Sequence, residues 1–167
     1  DRAVAIDGAD LDFKLALEPF QFSLGRLRVN DPAMPLGLSG ELVAGQAGGE
    51  VMLDAALDRT TPDQVLSFRP RDVRQRTRRW VAEHVRGGVL EDITFALRAG
   101  PSGPPLTYVD FAFRQGDVLY NKRLPPIRDA AGHLTIHDGW LGLRLAQARI
   151  MPSEGGVIDI TGTEFII

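Results

Sequence analysis

Cysteine is absent from the 167 residues, which excludes a disulfide framework and any thiolate metal site and leaves the redox compartment open. Lysine is nearly absent as well. Lys14 and Lys122 are the only two among 19 basic residues, a bias that reads as genome composition rather than chemistry. No stretch approaches the ~18 to 20 uninterrupted apolar residues that cross a bilayer, and the opening Asp1-Arg2-Ala3-Val4 is not a signal peptide. A net charge of -3 argues against generic nucleic-acid binding. What is present is 44% apolar and 25% charged, sufficient for one domain with a core or for a slice of something longer. The sequence starts without methionine and stops on the apolar run Thr163-Glu164-Phe165-Ile166-Ile167. We therefore expect an excised portion of a larger protein, with processing or trimming as the alternative.

Most of the chain alternates apolar and polar residues with period two, as a sheet with one apolar face requires. Leu11, Phe13, Leu15 and Leu17 form one row against Asp12, Lys14 and Ala16. Phe20, Phe22 and Leu24 continue it beyond Pro19, and Leu27 with Val29 resumes it past Gly25, where a bulge or bend is expected. Two further strands carry Leu36, Leu38 and Leu42, then Val51, Leu53, Ala55 and Leu57, with a turn at Gly45 to Gly49. Beyond Arg86 come Val89, Ile93, Phe95 and Leu97, a reversal at Gly100 to Pro105, and the row Val109, Phe111 and Phe113. A tight turn is expected at Gly116-Asp117 before Val118 and Tyr120, and Leu124-Pro125-Pro126 interrupts pairing because proline cannot donate to a ladder. The last strands expected are 132–137, 140–145, 147–151 and 156–167. Turn signals every 8 to 14 residues or so suit an antiparallel meander.

One segment breaks the rhythm. From Pro70 to Val85 the residues Val73, Trp80, Val81, His84 and Val85 fall on one arc of a 3.6-period helix. Pro70 and Asp72 suit its first turn and Gly87-Gly88 its stop. Thr61-Pro62-Asp63-Gln64 just before it reads as a short capped turn. Residues 69–86 hold seven arginines against Asp72 and Glu83, so 7 - 2 = +5, which leaves the rest of the chain at -3 - 5 = -8. Such a basic helix can expose a solvated face while Trp80 anchors the other side to a sheet, or it can contact anionic headgroups or nucleic acid. Arg74, Arg78 and Arg79 are the headgroup-contact candidates.

Nothing reads as an active site. His133 and His137 have the spacing of helical metal ligands. The run Leu134-Thr135-Ile136 makes them strand residues ~13 Å apart at about 3.3 Å each, too far for one ion. Gly37-Leu38-Ser39-Gly40 has its second glycine one position early for a nucleophile elbow, and no helix follows. Gly45 to Gly49 lacks the lysine and hydroxyl of a phosphate loop, and Asp7 to Asp12 lacks the twelfth-position glutamate of a calcium loop. No catalytic residue, metal or cofactor is expected.

The rows of Leu, Phe and Ile need cover, and one helix of about 16 residues, ~24 Å long, cannot bury a sheet of nine or so strands. The expected fold is therefore mainly β with one principal α-helix. It is a curved, twisted antiparallel sheet forming an open groove, with the amphipathic helix packed against it. Residues 1–60 and 89–167 form meander portions of one unit and 61–88 the helical insertion. Apolar rows of this kind face each other in a sandwich, face a partner, or face acyl chains. The lipid-contact candidates are Leu11, Phe13, Leu15, Phe20, Phe22, Ile93, Phe95, Val109, Phe111 and Phe113.

From about Pro70 onward, Trp80, Gly87-Gly88-Val89, the acidic pair Glu91-Asp92, the strand Val109 to Phe113, Val118, Tyr120, Leu124-Pro125-Pro126 and Gly132 follow in an order with a known parallel. The string resembles the YhdP-type domain of the AsmA-like envelope proteins, which are related to TamB and to bridge-type lipid transfer proteins. The resemblance covers about 100 of the 167 residues, while residues 1–60 match only as strands of the same sort. It implies a periplasmic, repeating β-groove, anchored in the inner membrane of a Gram-negative bacterium through another part of the chain, that conducts phospholipid between the two membranes. It brings structural roles for Trp80, Gly87, Gly88, Tyr120, Leu124, Pro125, Pro126 and Gly132, and no catalytic ones. The partners implied are phospholipid, the rest of the same long chain and a membrane surface, with no nucleic acid. The alternative is an envelope scaffold or assembly module whose apolar face is buried by protein.

Overall fold

A computed structural model describes residues 8–30, 35–45, 48–68, 75–121 and 123–166. The elements run β1 (Ala9–Leu17), β2 (Phe20–Val29), β3 (Leu36–Gly45), β4 (Gly48–Thr60), α1 (Pro62–Phe68), α2 (Gln75–His84), β5 (Val89–Ala99), β6 (Leu106–Val118), β7 (Ile127–His137), β8 (Trp140–Ile150), β9 (Ile158–Asp159) and β10 (Glu164–Ile166). Strands β1 to β8 lie side by side in chain order, and β9 and β10 both add to β8, so the ten strands make an open antiparallel sheet. Mainly β architecture is as expected. Among the described residues there are two short helices in place of one principal helix. Residues 69–74, including Pro70, Asp72, Val73 and Arg74, lie outside those described.

Two compact units of contacts divide the chain. The first takes the described residues up to Arg59 with Asp92–Asp110 and Ile136–Gly139. Here the pairing of Leu11 with Leu27, Phe13 with Leu24, Leu15 with Phe22 and Leu17 with Phe20 puts the expected row of β1 and its partners on one face. Leu27 with Leu38 and Phe22 with Leu42 carry that face to β3, and Leu38 with Ala55 and Leu42 with Val51 carry it to β4. The register shifts on both sides of Gly25, between Asp12 and Phe13 and between Leu24 and Leu27. This is the expected bulge, and it lets both flanking rows stay apolar across three strands.

The second unit takes the described residues of Thr60–Glu91, Phe111–Thr135 and Trp140–Ile167. Its core is Ala130, Leu145 and Ala148, with Phe113, Ile127, Leu143 and Ile160 packed on it. Thr61 and Gln64 form a capping box, Thr61 N donating to Gln64 Oε1 at 2.9 Å and Gln64 N to Thr61 Oγ1 at 3.3 Å. The expected capped turn thus continues into α1, with Pro62 in its first turn. After α2, Val85 bridges Val118, Arg86 N donates to Asp117 O at 2.8 Å, and Leu119 N donates to His84 O at 2.8 Å. The helix stops at His84, ahead of the expected Gly87-Gly88; Gly88, at a φ of 116°, takes a conformation that other residues rarely adopt and leads into β5.

Several boundaries differ from expectation, among them the start of β7, at Ile127 rather than 132. Gly116-Asp117 is not a turn but lies inside β6; Gln115 at a φ of 54° re-aims the strand, and buried Gly116 lies against Ala130. Tyr120 consequently falls beyond the strand end. The two strands expected over 140–151 are one, β8, because its halves find separate partners: Gly142 to Arg144 pair with β10, and Arg149 and Ile150 with β9. The single strand expected over 156–167 is those two short ones, joined by a turn in which Gly162 N donates to Leu145 O at 2.8 Å.

Candidate functional site

The apolar face of the first unit carries a continuous row of exposed side chains along β1. Leu11, Phe13, Leu15 and Leu17 stand 58%, 52%, 53% and 71% exposed, and Phe20 is exposed beside them. Leu24, Leu27, Leu36, Leu38, Val51, Leu53 and Leu57, on the same face, are half-buried, as are Ile93, Phe95 and Val109. Among the described residues of this unit only Val29 is a buried apolar side chain. The rings of Phe13 and Phe22 meet at 5.8 Å between centroids, tilted by 34°, so the face is ordered by its own contacts. This row can take apolar matter along its length by burial alone, and no charged group on β1 interrupts it, since Asp10, Asp12 and Lys14 have the opposite parity.

The opposite, polar face of the same unit bears a shallow hollow of about 720 Å³. Arg26, Arg28, Ser39, Asp54, Thr94 and Tyr108 line it above small residues at Gly37, Ala56 and Ala96. Arg98 Nη2 holds both carboxylate oxygens of Asp54, at 2.8 and 3.0 Å, while Nη1 donates to Leu53 O at 3.0 Å. The Tyr108 ring meets His137 edge-on at 6.0 Å, and His137 Nε2 lies 3.2 Å from Asp138 Oδ2. Partial desolvation, and then the Asp110 carboxylate, push the Tyr108 phenol above its ordinary value.

No family model, curated protein or solved structure matches the chain. Its chemistry is therefore read from its own residues.

The aromatic candidates of the second unit are placed differently. Phe111 and Phe113 are half-buried, in edge contact at 6.5 Å, and Phe113 packs on the Ala130, Leu145 and Ala148 core. The expected headgroup contacts are only partly placed: Arg78 lies on α2, Arg79 is exposed, and Arg74 lies outside the described residues. Trp80 is not the buried anchor expected of it. It is 46% exposed and stacks on His84 at 5.0 Å, one helical turn on, while His84 Nδ1 contacts Trp80 O at 2.8 Å. Stacking satisfies the indole within the helix, so the sheet need not receive it.

Leu124-Pro125-Pro126 lies between β6 and β7, as its lack of donors requires. Its corner is held by a residue that the reading of the sequence passed over: Asn121 Oδ1 accepts from Arg123 N at 2.9 Å and Asn121 O from Leu124 N at 3.2 Å. Glu91 of the acidic pair is gripped by Arg114 through two hydrogen bonds of 2.9 Å, which raise the guanidinium further. Gly132 sits where β7 and β8 approach so closely that an added methyl would overlap Arg144 O. His133 and His137 both belong to β7 and are exposed. No group of three or more His, Cys, Asp or Glu side chains placed to hold a metal occurs among the described residues, and no described helix is long and apolar enough to cross a membrane. Arg26 and Arg28 went unremarked in the sequence; the signal was their shared parity on the polar side of β2.

Proposed function

We propose that the chain is a segment of a hydrophobic β-surface that binds or conducts phospholipid acyl chains, working in the periplasm between the inner and outer membranes as part of a membrane-anchored protein. The observation carrying this reading is the open apolar row Leu11, Phe13, Leu15 and Leu17, which no described part of the chain covers. Extended hydrocarbon suits a flat, continuous strip of Leu and Phe better than it suits a closed pocket, because each methylene gains burial without any directional contact. The residues then act by shape and desolvation, and the chain performs no covalent chemistry.

A second reading, an envelope scaffold whose apolar face is covered by protein, is favoured by Phe113, which already packs on the chain's own core. Native mass spectrometry of the purified chain distinguishes the two. The lipid reading expects phospholipid adducts that survive gentle activation and are replenished from added lipid. A chain that neither retains nor takes up lipid supports the scaffold.

A further inference from the structure

The polar face of the first unit holds a second feature, independent of the acyl-chain reading. In register, Asp10 stands opposite Arg28 and Asp12 opposite Arg26, the arrangement in which cross-strand ion pairs normally form. Among the described residues neither pair forms. Asp10 Oδ2 instead accepts from Asn30 Nδ2 at 3.0 Å, and the Asp12 carboxylate lies over Gly25, where an added methyl would meet Oδ2 at 3.2 Å. Both arginines line the hollow instead.

The floor of the hollow follows from the registers. Gly37 pairs with Arg28 and Ala56 with Gly37, so the row beyond Arg28 carries nothing larger than a methyl group. In the next row Ser39 pairs with Asp54, whose carboxylate is occupied by Arg98. The one acid lining the hollow is therefore neutralised locally, while the two guanidinium groups, from positions ~7 Å apart along β2, meet no ion-pair partner among the described residues. Planar donor forks flanking a shallow floor of small residues match the tetrahedral oxygens of a phosphate better than a single carboxylate plane.

We propose that this hollow is a phosphate site, in which Arg26 and Arg28 hold the phosphoryl oxygens, Ser39 adds a hydroxyl donor, and the esterified group lies over Gly37 and Ala56. The phosphate is carried either by a soluble ester or by a lipid headgroup. Because the site is open to solvent, its affinity falls with ionic strength.

Calorimetric titration of the full chain at low salt with glycerol 3-phosphate, and separately with phosphatidylcholine vesicles with and without phosphatidic acid, tests the site. Saturable binding of glycerol 3-phosphate that weakens at least tenfold in Arg26→Gln/Arg28→Gln supports the proposal with a soluble ester as ligand. Binding confined to the phosphatidic acid vesicles, with the same loss, supports it with a headgroup. The charge-matched control Arg59→Gln/Arg123→Gln should stay within twofold of the parent. Gly37→Val, whose Cβ meets nothing closer than Ala56 O at 3.8 Å, should fill the floor and weaken binding several-fold with every charge retained. In the titration with glycerol 3-phosphate, which has no acyl chain, Phe13→Asp/Leu15→Asp on the other face should leave binding unchanged, which separates this site from the acyl-chain surface. No saturable binding of either probe, or equal losses in the Arg26/Arg28 and control variants, overturns it.

Discussion

Replacing Phe13 and Leu15 together by aspartate tests the acyl-chain surface most directly. Both side chains are about half exposed, and full burial of a Phe or Leu is worth ~1.5–3 kcal/mol, so covering the remaining half gains roughly 1 kcal/mol at each. Leu11 and Leu17 add a similar amount each, which puts the strip near 4 kcal/mol before any ordering cost. Two carboxylates remove the gain at two positions and add the penalty of desolvating charge against hydrocarbon. At about 1.4 kcal/mol per factor of ten, retention should fall by at least tenfold, and closer to a hundredfold if the carboxylates stay ionised. The half already buried contributes a similar ~1 kcal/mol at each position, so the melting temperature should fall by roughly 4–8 °C while the fold survives. Native mass spectrometry of adducts beside a thermal melt reads both quantities. Unchanged lipid retention would refute the argument, and so would a collapse of the melting temperature with no lipid in the parent, since that outcome would make the strip a packed interior.

Two further perturbations probe the second unit. Gly132→Ala places a methyl on Arg144 O and brings it to 3.0 Å from the Phe113 ring, so the strands must separate; a loss of ~1–3 kcal/mol is expected, read as a melting temperature lower by roughly 4–10 °C. A melt within 1 °C or so of the parent would mean that β7 and β8 part without cost. Asp159 is held below its ordinary value, first by the hydrogen bonds it accepts from Thr161, including that from Thr161 N at 2.9 Å, and secondarily by Arg149. A carboxylate depressed in the folded state stabilises above its unfolded pKa of about 3.9 and loses that contribution as pH falls through the lower folded value. The melting difference between the parent and Asp159→Ala should therefore be steady at pH 5 to 7 and shrink below about pH 4; a gap constant down to the lowest pH at which the chain folds would remove the ionised carboxylate from the account.

Alternation made most of the sheet legible because each apolar row specifies its own face, and a one-residue slip would invert it. The bulge was visible for the same reason: Leu24 and Leu27 are three apart where the pattern demands two, and Gly25 stands between them. Side-chain parity says nothing of where backbone bonding continues, however. Between Leu145 and Ala148 the parity breaks, and β8 runs on through the break because β9 and β10 supply partners to its separate halves. Gly116-Asp117 has turn composition, but its backbone is recruited by distant elements, Ala130 against Gly116 and Arg86 N on Asp117 O. The polar hollow was illegible for a related reason: that Arg26 and Arg28 form no ion pair among the described residues follows only from where the carboxylates lie, Asp10 on Asn30 and Asp12 over Gly25.

Phe13 and Phe113 show where reading from pattern stops. Each is an aromatic in an apolar row with two-residue spacing, and nothing local separates them. What separates them is the size of the residues brought alongside. In the second unit Ala130 and Ala148 are small enough to let the Phe113 ring reach them, and Leu143, Leu145 and Ile160 complete the surround. Beside Phe13 stand Leu11, Leu15, Phe22 and Leu24, all on the same face, so the row grows sideways and gains no layer above it from the described residues. A ring on a single layer can bury only its edges against its neighbours, and its upper surface is left to whatever arrives. Of the ten lipid-contact candidates, Leu11, Phe13, Leu15 and Phe20 are exposed and the other six are half-buried, Phe113 among them against the core of the second unit. An acyl chain that enters the row has to do so over β1, and the loss of retention on substitution to aspartate should be largest at Phe13 and Leu15 and smallest at Phe113, where the same change should instead unfold the second unit.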